Sequence, residues 1–309
     1  GTALLDVRRR EWCPEICSAI DEGLQDKLPE LGSSLEAAGT LLPSLAARWG
    51  LNGDIIVSAG GGDNMMAAIG TGSIRNGTVT ASLGTSGTIF ACSDVPVIDP
   101  QGEIAAFCDS ADHWMPLLCT MNVTVATEAF RKMFGWDHAR LDAEIAGIAA
   151  GADGLMFLPY LQGERTPNLP HGCGVLHGMT TANVTPAHLA RAAMEGVTLG
   201  MAYGLRRMES LGLRPGEIRL TGGGSRSPVW RQLCADIFGC PVVTMQSSEG
   251  AALGAAVQAL HAVHSSGSLA ELVDRCCPVA PDSLVEPRST AAYESLLERQ
   301  NGLRARLFS

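Results

Sequence analysis

Three glycine-rich turns, each next to a short apolar run, constrain this 309-residue chain more than any other feature of its sequence. The turn GGGD follows the run at 54–58, GTSG joins the runs at 79–83 and 87–92, and GGGS follows the run at 217–220. Glycine has no side chain, so such turns bend sharply and let a ligand approach the backbone closely. The pattern predicts strands that end in loops able to bind a small molecule.

The rest of the pattern alternates strands with helices, which predicts an α/β fold. Further β-branched runs lie at 155–159 and 241–244. One helix is expected to begin with Thr185 as its cap and Pro186 in its first turn. The helical patterns cover 14–28, 123–134, 186–212, 228–238, 250–264 and 289–307. The length corresponds to roughly two domains of about 150 residues each.

Charge and composition exclude several classes of function. The net charge of -10 and the pI near 5.2 argue against nucleic acid as a partner, because binding the phosphate backbone requires a basic surface. No apolar run has the ~20 residues that a membrane span needs. The ten cysteines show no spacing typical of a disulfide framework or a metal site, so we predict free thiols, no metal cluster and a cytoplasmic location.

Taken singly, each glycine turn leaves alternatives open. Asp63 either caps the helix that follows GGGD or meets a ligand. GTSG is either a plain hairpin or a turn whose N–H groups and hydroxyls face an oxyanion such as phosphate. GGGS opens a helix, where nucleotides are often held. It lacks the spacing and lysine of a Walker loop, and no acidic residue follows it as in a dinucleotide-binding site.

Taken in order, the motifs resemble the FGGY family of carbohydrate kinases. The matching segments are GGGDN, SLGTSGT, FLPYLQGERTPNLP, GVLHGMTTANVTPAHLARAAMEG, GGGSRSPVWRQLCADIFGCPV and GAALGAA. The resemblance covers essentially the whole chain and corresponds to about the rear three-fifths of such an enzyme. The start of the chain is expected to lie inside a longer polypeptide, so the chain alone is expected to be inactive.

This resemblance implies an actin-like (ribonuclease H-like) ATPase fold, with mixed sheets flanked by helices. Residues 1–76 would be the tail of an N-terminal sugar-binding lobe, and residues 77–309 a C-terminal nucleotide-binding lobe. The implied activity is ATP-dependent phosphorylation of a ketopentose, with D-xylulose as the expected sugar. Sugar and ATP are the expected partners, Mg²⁺ the expected metal cofactor, and a homodimer is compatible with this interpretation.

The resemblance also assigns roles to individual residues. Asp63 corresponds to the general base and contacts the sugar together with Asn64. The residues expected to bind the nucleotide lie in the other two turns. They are Gly84, Thr85 and Ser86 at the transferred phosphate, and Gly223, Gly224 and Ser225 at the adenosine. No metal-ligating residue is assigned in this chain.

Two interpretations other than a ketopentose kinase remain open. One is a kinase for another ketose or a polyol, and the other is a non-catalytic nucleotide-binding module of actin-like fold. Two local features also stay open. Glu164 and Arg165 either reach a ligand or form an ion pair that fixes the cleft wall. Met65 and Met66 would shape the wall of the sugar pocket.

Overall fold

A six-stranded mixed sheet forms the centre of the molecule in the computed structural model, which describes residues 2–264 and 267–308. In these residues the strands are β1 (Leu5–Asp6), β2 (Glu11–Trp12), β3 (Ala37–Thr40), β4 (Ile56–Ser58), β5 (Thr78–Leu83), β6 (Gly87–Ala91), β7 (Ala105–Cys108), β8 (Trp114–Thr120), β9 (Met156–Pro159), β10 (Gly174–His177), β11 (Glu217–Thr221) and β12 (Val242–Thr244). The central order is β12-β11-β5-β6-β8-β7. The strands β12, β11 and β5 run parallel, and the other neighbours are antiparallel. The predicted α/β class is confirmed.

Helices cover both faces of this sheet. They are α1 (Pro14–Ile20), α2 (Pro43–Trp49), α3 (Asp63–Thr71), α4 (Thr124–Met133), α5 (His138–Ala146), α6 (Pro186–Ser210), α7 (Pro228–Phe238), α8 (Gly250–Val263), α9 (Leu269–Cys276) and α10 (Thr290–Leu307). The long helix α6 begins as predicted: Thr185 is its N-cap, Pro186 is in its first turn, and the Thr185 hydroxyl accepts the His188 N–H. It lies so close to the sheet that a Cβ atom at Gly204 would be 2.4 Å from Leu118 Cδ2.

The opposite face of the sheet carries α3, which also packs tightly on α8. Ala68 of α3 is buried with Phe90, Met115 and Leu117 of the sheet. A Cβ atom at Gly254 of α8 would lie 1.8 Å from the Met66 carbonyl oxygen. A Cβ atom at Gly70 of α3 would lie 1.9 Å from the Gly250 carbonyl oxygen. The two helix backbones therefore touch, which only glycine permits.

The first sixty residues differ from the helical pattern expected there. The prediction of one helix over 14–28 is wrong, because α1 ends at Ile20 and a short 3₁₀ helix follows at Gln25–Lys27. The Asp21 carboxylate accepts the Gly23 N–H at 2.7 Å, and such side-chain bonds to the local backbone compete with helix continuation.

Half of the large apolar side chains exposed in the described residues lie between residues 16 and 57. The whole of β3 is exposed, and its partner β4 is nearly so. The surface between residues 16 and 57 is therefore unusually apolar for a soluble protein.

In residues 2–264 and 267–308, none of the helices is both long enough and apolar enough to span a bilayer.

Candidate active site

Asp63 lies at the beginning of α3, directly after the first glycine turn. Gly62 occupies the N-cap position, so the interpretation of Asp63 as the cap is wrong. Asp63 is the first helical residue and is exposed. Its Oδ1 accepts hydrogen bonds from the Asn64 N–H (2.8 Å) and from Asn64 Nδ2 (3.3 Å). Its Oδ2 has no protein partner in the part of the chain that the structure describes, so this oxygen is free to accept a proton from a ligand.

The GTSG segment forms a hairpin in which Leu83 pairs with Gly87. Behind it, the start of α4 donates two N–H groups to the turn: Thr124 to the Gly84 carbonyl (2.9 Å) and Val123 to the Thr85 carbonyl (3.1 Å). Thr85 and Ser86 are exposed. The hairpin carbonyls therefore point inward, and the hydroxyls of Thr85 and Ser86 bond to no other side chain or backbone group of the described residues. This arrangement suits an anion outside the turn.

The GGGS turn packs directly on this hairpin. Gly222 has φ +80, and a Cβ atom there would lie 2.7 Å from the Leu83 carbonyl. Ser225 donates its hydroxyl to the Gly222 carbonyl at 2.7 Å and so closes the turn on itself. Gly84 and Gly222 are 138 residues apart in sequence. The two glycine turns nevertheless meet, at the adjacent ends of the neighbouring strands β5 and β11.

The two other glycines of this turn face different surroundings. A Cβ atom at Gly223 would meet no atom within 4 Å. One at Gly224 would lie 2.8 Å from Leu83 Cβ and 2.9 Å from the Trp230 ring. Gly223 is therefore open to a ligand, whereas Gly224 makes its close approach to the protein core.

A cavity of about 360 Å³ lies between this turn and helices α4 and α5. Its floor contains Leu141, Met194 and Trp230. Polar side chains, among them Glu128 and Asp142, lie at its rim. Apolar cavities with a few polar groups are typical of sites for small organic molecules. The cavity is bordered by Gly223 and Gly224 and so lies next to the two turns.

Glu164 fixes the cleft wall, but not through the ion pair proposed with Arg165. Glu164 is 4% exposed and accepts hydrogen bonds from the Met121 N–H (2.6 Å), the Arg165 N–H (2.8 Å) and Asn122 Nδ2 (3.0 Å). Arg165 lies in the turn that follows, and its side chain is exposed. The described residues contain no ion pair between the Glu164 and Arg165 side chains.

Cys119, near the end of β8, lines one pocket together with Glu164 and Arg165. Burial raises the pKa of the Cys119 thiol, the Arg165 charge lowers it, and the charges of Asp63 and Glu164 raise it further. Glu164 and Arg165 therefore lie beside the end of β8 that carries Cys119.

Other sequence-based expectations are corrected or extended by the structure. Met66 is 4% exposed and belongs to the core between α3 and α8, so the expectation that it lines a sugar pocket is wrong. The sequence pattern did not predict α5, which supplies His138 and Asp142 to the cavity. Its signal was present in Asp137, the N-cap that accepts the Arg140 N–H at 2.7 Å. In residues 2–264 and 267–308, no three His, Cys, Asp or Glu side chains are grouped to hold a metal ion.

Comparison with solved structures defines the class of protein. A xyloylose kinase from Brucella ovis superposes with a TM-score of 0.90 at 31% identity, over 99% of this chain and 63% of that one. A gluconate kinase from Lactobacillus acidophilus superposes with a TM-score of 0.92 at 25% identity, over 100% of this chain and 63% of that one. The fold is that of the actin-like ATPases, as predicted.

Comparison of sequences identifies the family. The model of the FGGY family of carbohydrate kinases, C-terminal domain, matches residues 79–263, and that of its N-terminal domain matches residues 1–70. The xylulose kinase of Haemophilus influenzae is 38% identical over 303 residues, which are 97% of this chain and 61% of that protein. The chain belongs to the FGGY family of carbohydrate kinases. It spans about three-fifths of the length of the curated relatives that it matches.

Proposed function

We propose that this chain is the nucleotide-binding and proton-accepting part of a kinase that phosphorylates D-xylulose to D-xylulose 5-phosphate with ATP. The observation that carries the proposal is the meeting of the hairpin and the triple-glycine turn beside an apolar cavity, with Asp63 exposed at the start of α3. The identity of 38% to a xylulose kinase supports this choice of sugar.

The two turns would divide the binding of ATP between them. Thr85 and Ser86, with the neighbouring Gly84, would donate N–H and hydroxyl groups to the transferred phosphate. Gly223 would let the nucleotide approach the backbone, and the cavity beside Gly224 and Ser225 would take the adenosine. Phosphoryl transfer passes through a loose transition state, so the protein's tasks are to align the reactants, to stabilise charge and to exclude water.

Asp63 would accept the proton of the attacking hydroxyl, and Asn64 would bond to the same sugar. The position is suitable because Asp63 is exposed at the start of α3 and its Oδ2 has no partner in the described residues. Arg165 lies beside the end of β8 that carries Cys119 and would contribute positive charge there.

Mg²⁺ is the proposed metal, and when bound it would neutralise charge on the phosphates of ATP. Magnesium in such sites is held by one or two carboxylates together with substrate phosphates and water. We further propose the cytoplasm as compartment, a homodimer as assembly, and a boundary between lobes near residue 76. Size measurement by light scattering tests the dimer.

The general-base role of Asp63 is tested by Asp63→Asn in the product of the complete gene. Asparagine keeps the size and much of the hydrogen bonding but cannot accept the proton. The turnover number with D-xylulose and ATP should fall by roughly 100- to 10,000-fold. The melting temperature and sugar affinity should change little, because the lost interaction belongs to the transition state. Turnover within about threefold of the parent would be too small a change for a lost base and would refute the assignment.

Another sugar is the second candidate, because the chain also superposes closely on a gluconate kinase. Coupled ADP-release assays with D-xylulose, other ketoses, polyols and gluconate would rank the substrates by kcat/KM. ATP binding without ADP release, whatever the sugar, would favour the non-catalytic module. We expect sugar-dependent ADP release from the complete gene product and none from the 309 residues alone.

A further inference from the structure

A buried glutamine of α8 holds the turn that carries Asp63. Gln258 is 2% exposed. Its Oε1 accepts the Gly60 N–H at 3.0 Å, and its Nε2 donates to the Gly60 carbonyl at 3.1 Å. The same Nε2 donates to the Ser34 carbonyl at 3.0 Å. One side-chain amide thus binds both polar groups of Gly60, as a neighbouring strand would.

This contact matters because the turn cannot fix its own shape. Residues 60–62 are all glycine, so they have no side chains with which to restrict the backbone, and an unrestrained glycine segment samples many conformations. Gly60 has φ +72, outside the region that other residues prefer. The restraint on this turn must therefore come from neighbouring segments, and Gln258 supplies two hydrogen bonds to it.

The same helix also fixes the segment that follows the turn. At Gly254, one helical turn before Gln258, the α8 backbone touches the Met66 carbonyl, and at Gly250 it touches Gly70. Gln258, Gly254 and Gly250 are spaced four residues apart and therefore lie along one face of α8. This face follows the Asp63 segment from Gly60 to Gly70.

We propose that Gln258 is a positioning residue for Asp63: its amide fixes the Gly60 backbone and thereby the direction in which the Asp63 carboxylate enters the cleft. The inference rests on the proposed function, in which Asp63 is the base. Gln258 itself contacts neither sugar nor nucleotide. Its loss should therefore reduce the rate of the chemical step and leave nucleotide binding unchanged.

The test is Gln258→Met in the complete gene product, since methionine has a similar shape and makes none of these bonds. Gln300→Met is the matched control. Gln300 is 1% exposed and donates to two carbonyls, those of Phe157 (3.3 Å) and Gly196 (3.1 Å), but it lies on α10, away from the turn. Both variants remove the hydrogen bonds of a buried side-chain amide. Only Gln258→Met removes hydrogen bonds to Gly60.

We expect kcat to fall by about 10- to 100-fold in Gln258→Met, because a displacement of about 1 Å at a reacting group costs up to that much. The KM for ATP should stay unchanged, and Gln300→Met should keep the parental kcat. Hydrogen exchange should accelerate in peptides covering residues 58–64 in Gln258→Met only. If Gln258→Met does not fold, Gln258→Glu, which keeps the acceptor for the Gly60 N–H, is measured in the same way.

Three results would overturn the proposal. The first is a parental kcat in the folded Gln258 variant. The second is an equal loss of kcat in both glutamine variants in proportion to their melting temperatures, which would mean a structural role alone. The third is turnover that survives Asp63→Asn, which removes the proposed function as well. Turnover that is lost in Asp63→Asn and kept in Gln258→Met removes only the role of Gln258.

Discussion

Valine substitutions at the adjacent residues Gly223 and Gly224 should produce opposite effects on nucleotide binding and on stability. Gly223 borders the cavity and faces open space, whereas Gly224 faces Leu83 and Trp230. We expect Gly223→Val to weaken ATP binding and leave the fold intact. We expect Gly224→Val to destabilise the fold through its contact with the core.

The magnitudes follow from the two environments. A Cβ atom at Gly224 would lie 2.8 Å and 2.9 Å from its neighbours, closer than van der Waals contact, so Trp230 must shift. Overpacking of this kind costs about 1–3 kcal/mol, and each kcal/mol lowers the melting temperature by roughly 2–4 °C in a domain of this size. A Cβ atom at Gly223 meets nothing within 4 Å, so we expect the stability change to stay within about 0.5 kcal/mol.

Two measurements on the 309-residue chain test the expected effects of Gly223→Val and Gly224→Val. Calorimetric titration with ATP should give a Kd at least about tenfold weaker for Gly223→Val, which corresponds to about 1.4 kcal/mol. Thermal denaturation should show the loss of stability for Gly224→Val alone. An unchanged Kd for a folded Gly223→Val would place the nucleotide away from this turn and refute the proposed division of the site.

Two further predictions concern charged groups. Glu164→Gln should destabilise the protein by about 1–3 kcal/mol. The amide oxygen can still accept the Met121 and Arg165 N–H groups, but the new NH₂ group faces Asn122 Nδ2, which then lacks this acceptor. Arg165→Ala should change thermal stability by less than about 0.5 kcal/mol, and equal losses would mean that the two side chains are coupled after all. Burial acts to raise the pKa of Asp99, but the Arg207 side chain and backbone N–H groups lower it from 3.8 to about 2. The contribution of the Asp99 carboxylate to stability is therefore present above pH 3.8 and is lost as the pH falls towards 2. Thermal denaturation at a series of acidic pH values should therefore show a weaker pH dependence for Asp99→Asn, and an unchanged dependence would contradict the assignment.

The sequence predicted the elements whose signals are local. The strands at β5, β6 and β11 have β-branched runs next to glycine turns, and α6 has a cap and a proline at its start. These features act within a few residues, so they can be read without knowledge of the fold. The helix α5 was missed because it is short and its apolar pattern rests mainly on Leu141 and Ile145.

The candidate site was predictable only in part, because its geometry depends on residues far apart in sequence. The three glycine turns were visible in the sequence, but nothing local indicates that Gly222 packs on Leu83. Gln258 lies 198 positions beyond Gly60, and its bonds to that turn have no sequence signal. Glu164 and Arg165 are adjacent, yet only Glu164 is buried, because its carboxylate accepts hydrogen bonds from the distant Met121 N–H and Asn122 Nδ2. Contacts set by the fold thus decide how the turns work together.

The apolar surface between residues 16 and 57 has a practical consequence for anyone who purifies this chain. Within the part of the chain that the structure describes, the sheet β3–β4 has only these two strands, and other molecules can extend such open edges by backbone hydrogen bonding. Apolar side chains such as Leu42 (62% exposed) and Trp49 (57% exposed) add apolar surface that can be buried on association. Concentrated samples should therefore form reversible oligomers that dissociate on dilution. A dimer seen only at high concentration would indicate association through this apolar surface. A dimer that persists in dilute solution would instead support the proposed homodimer.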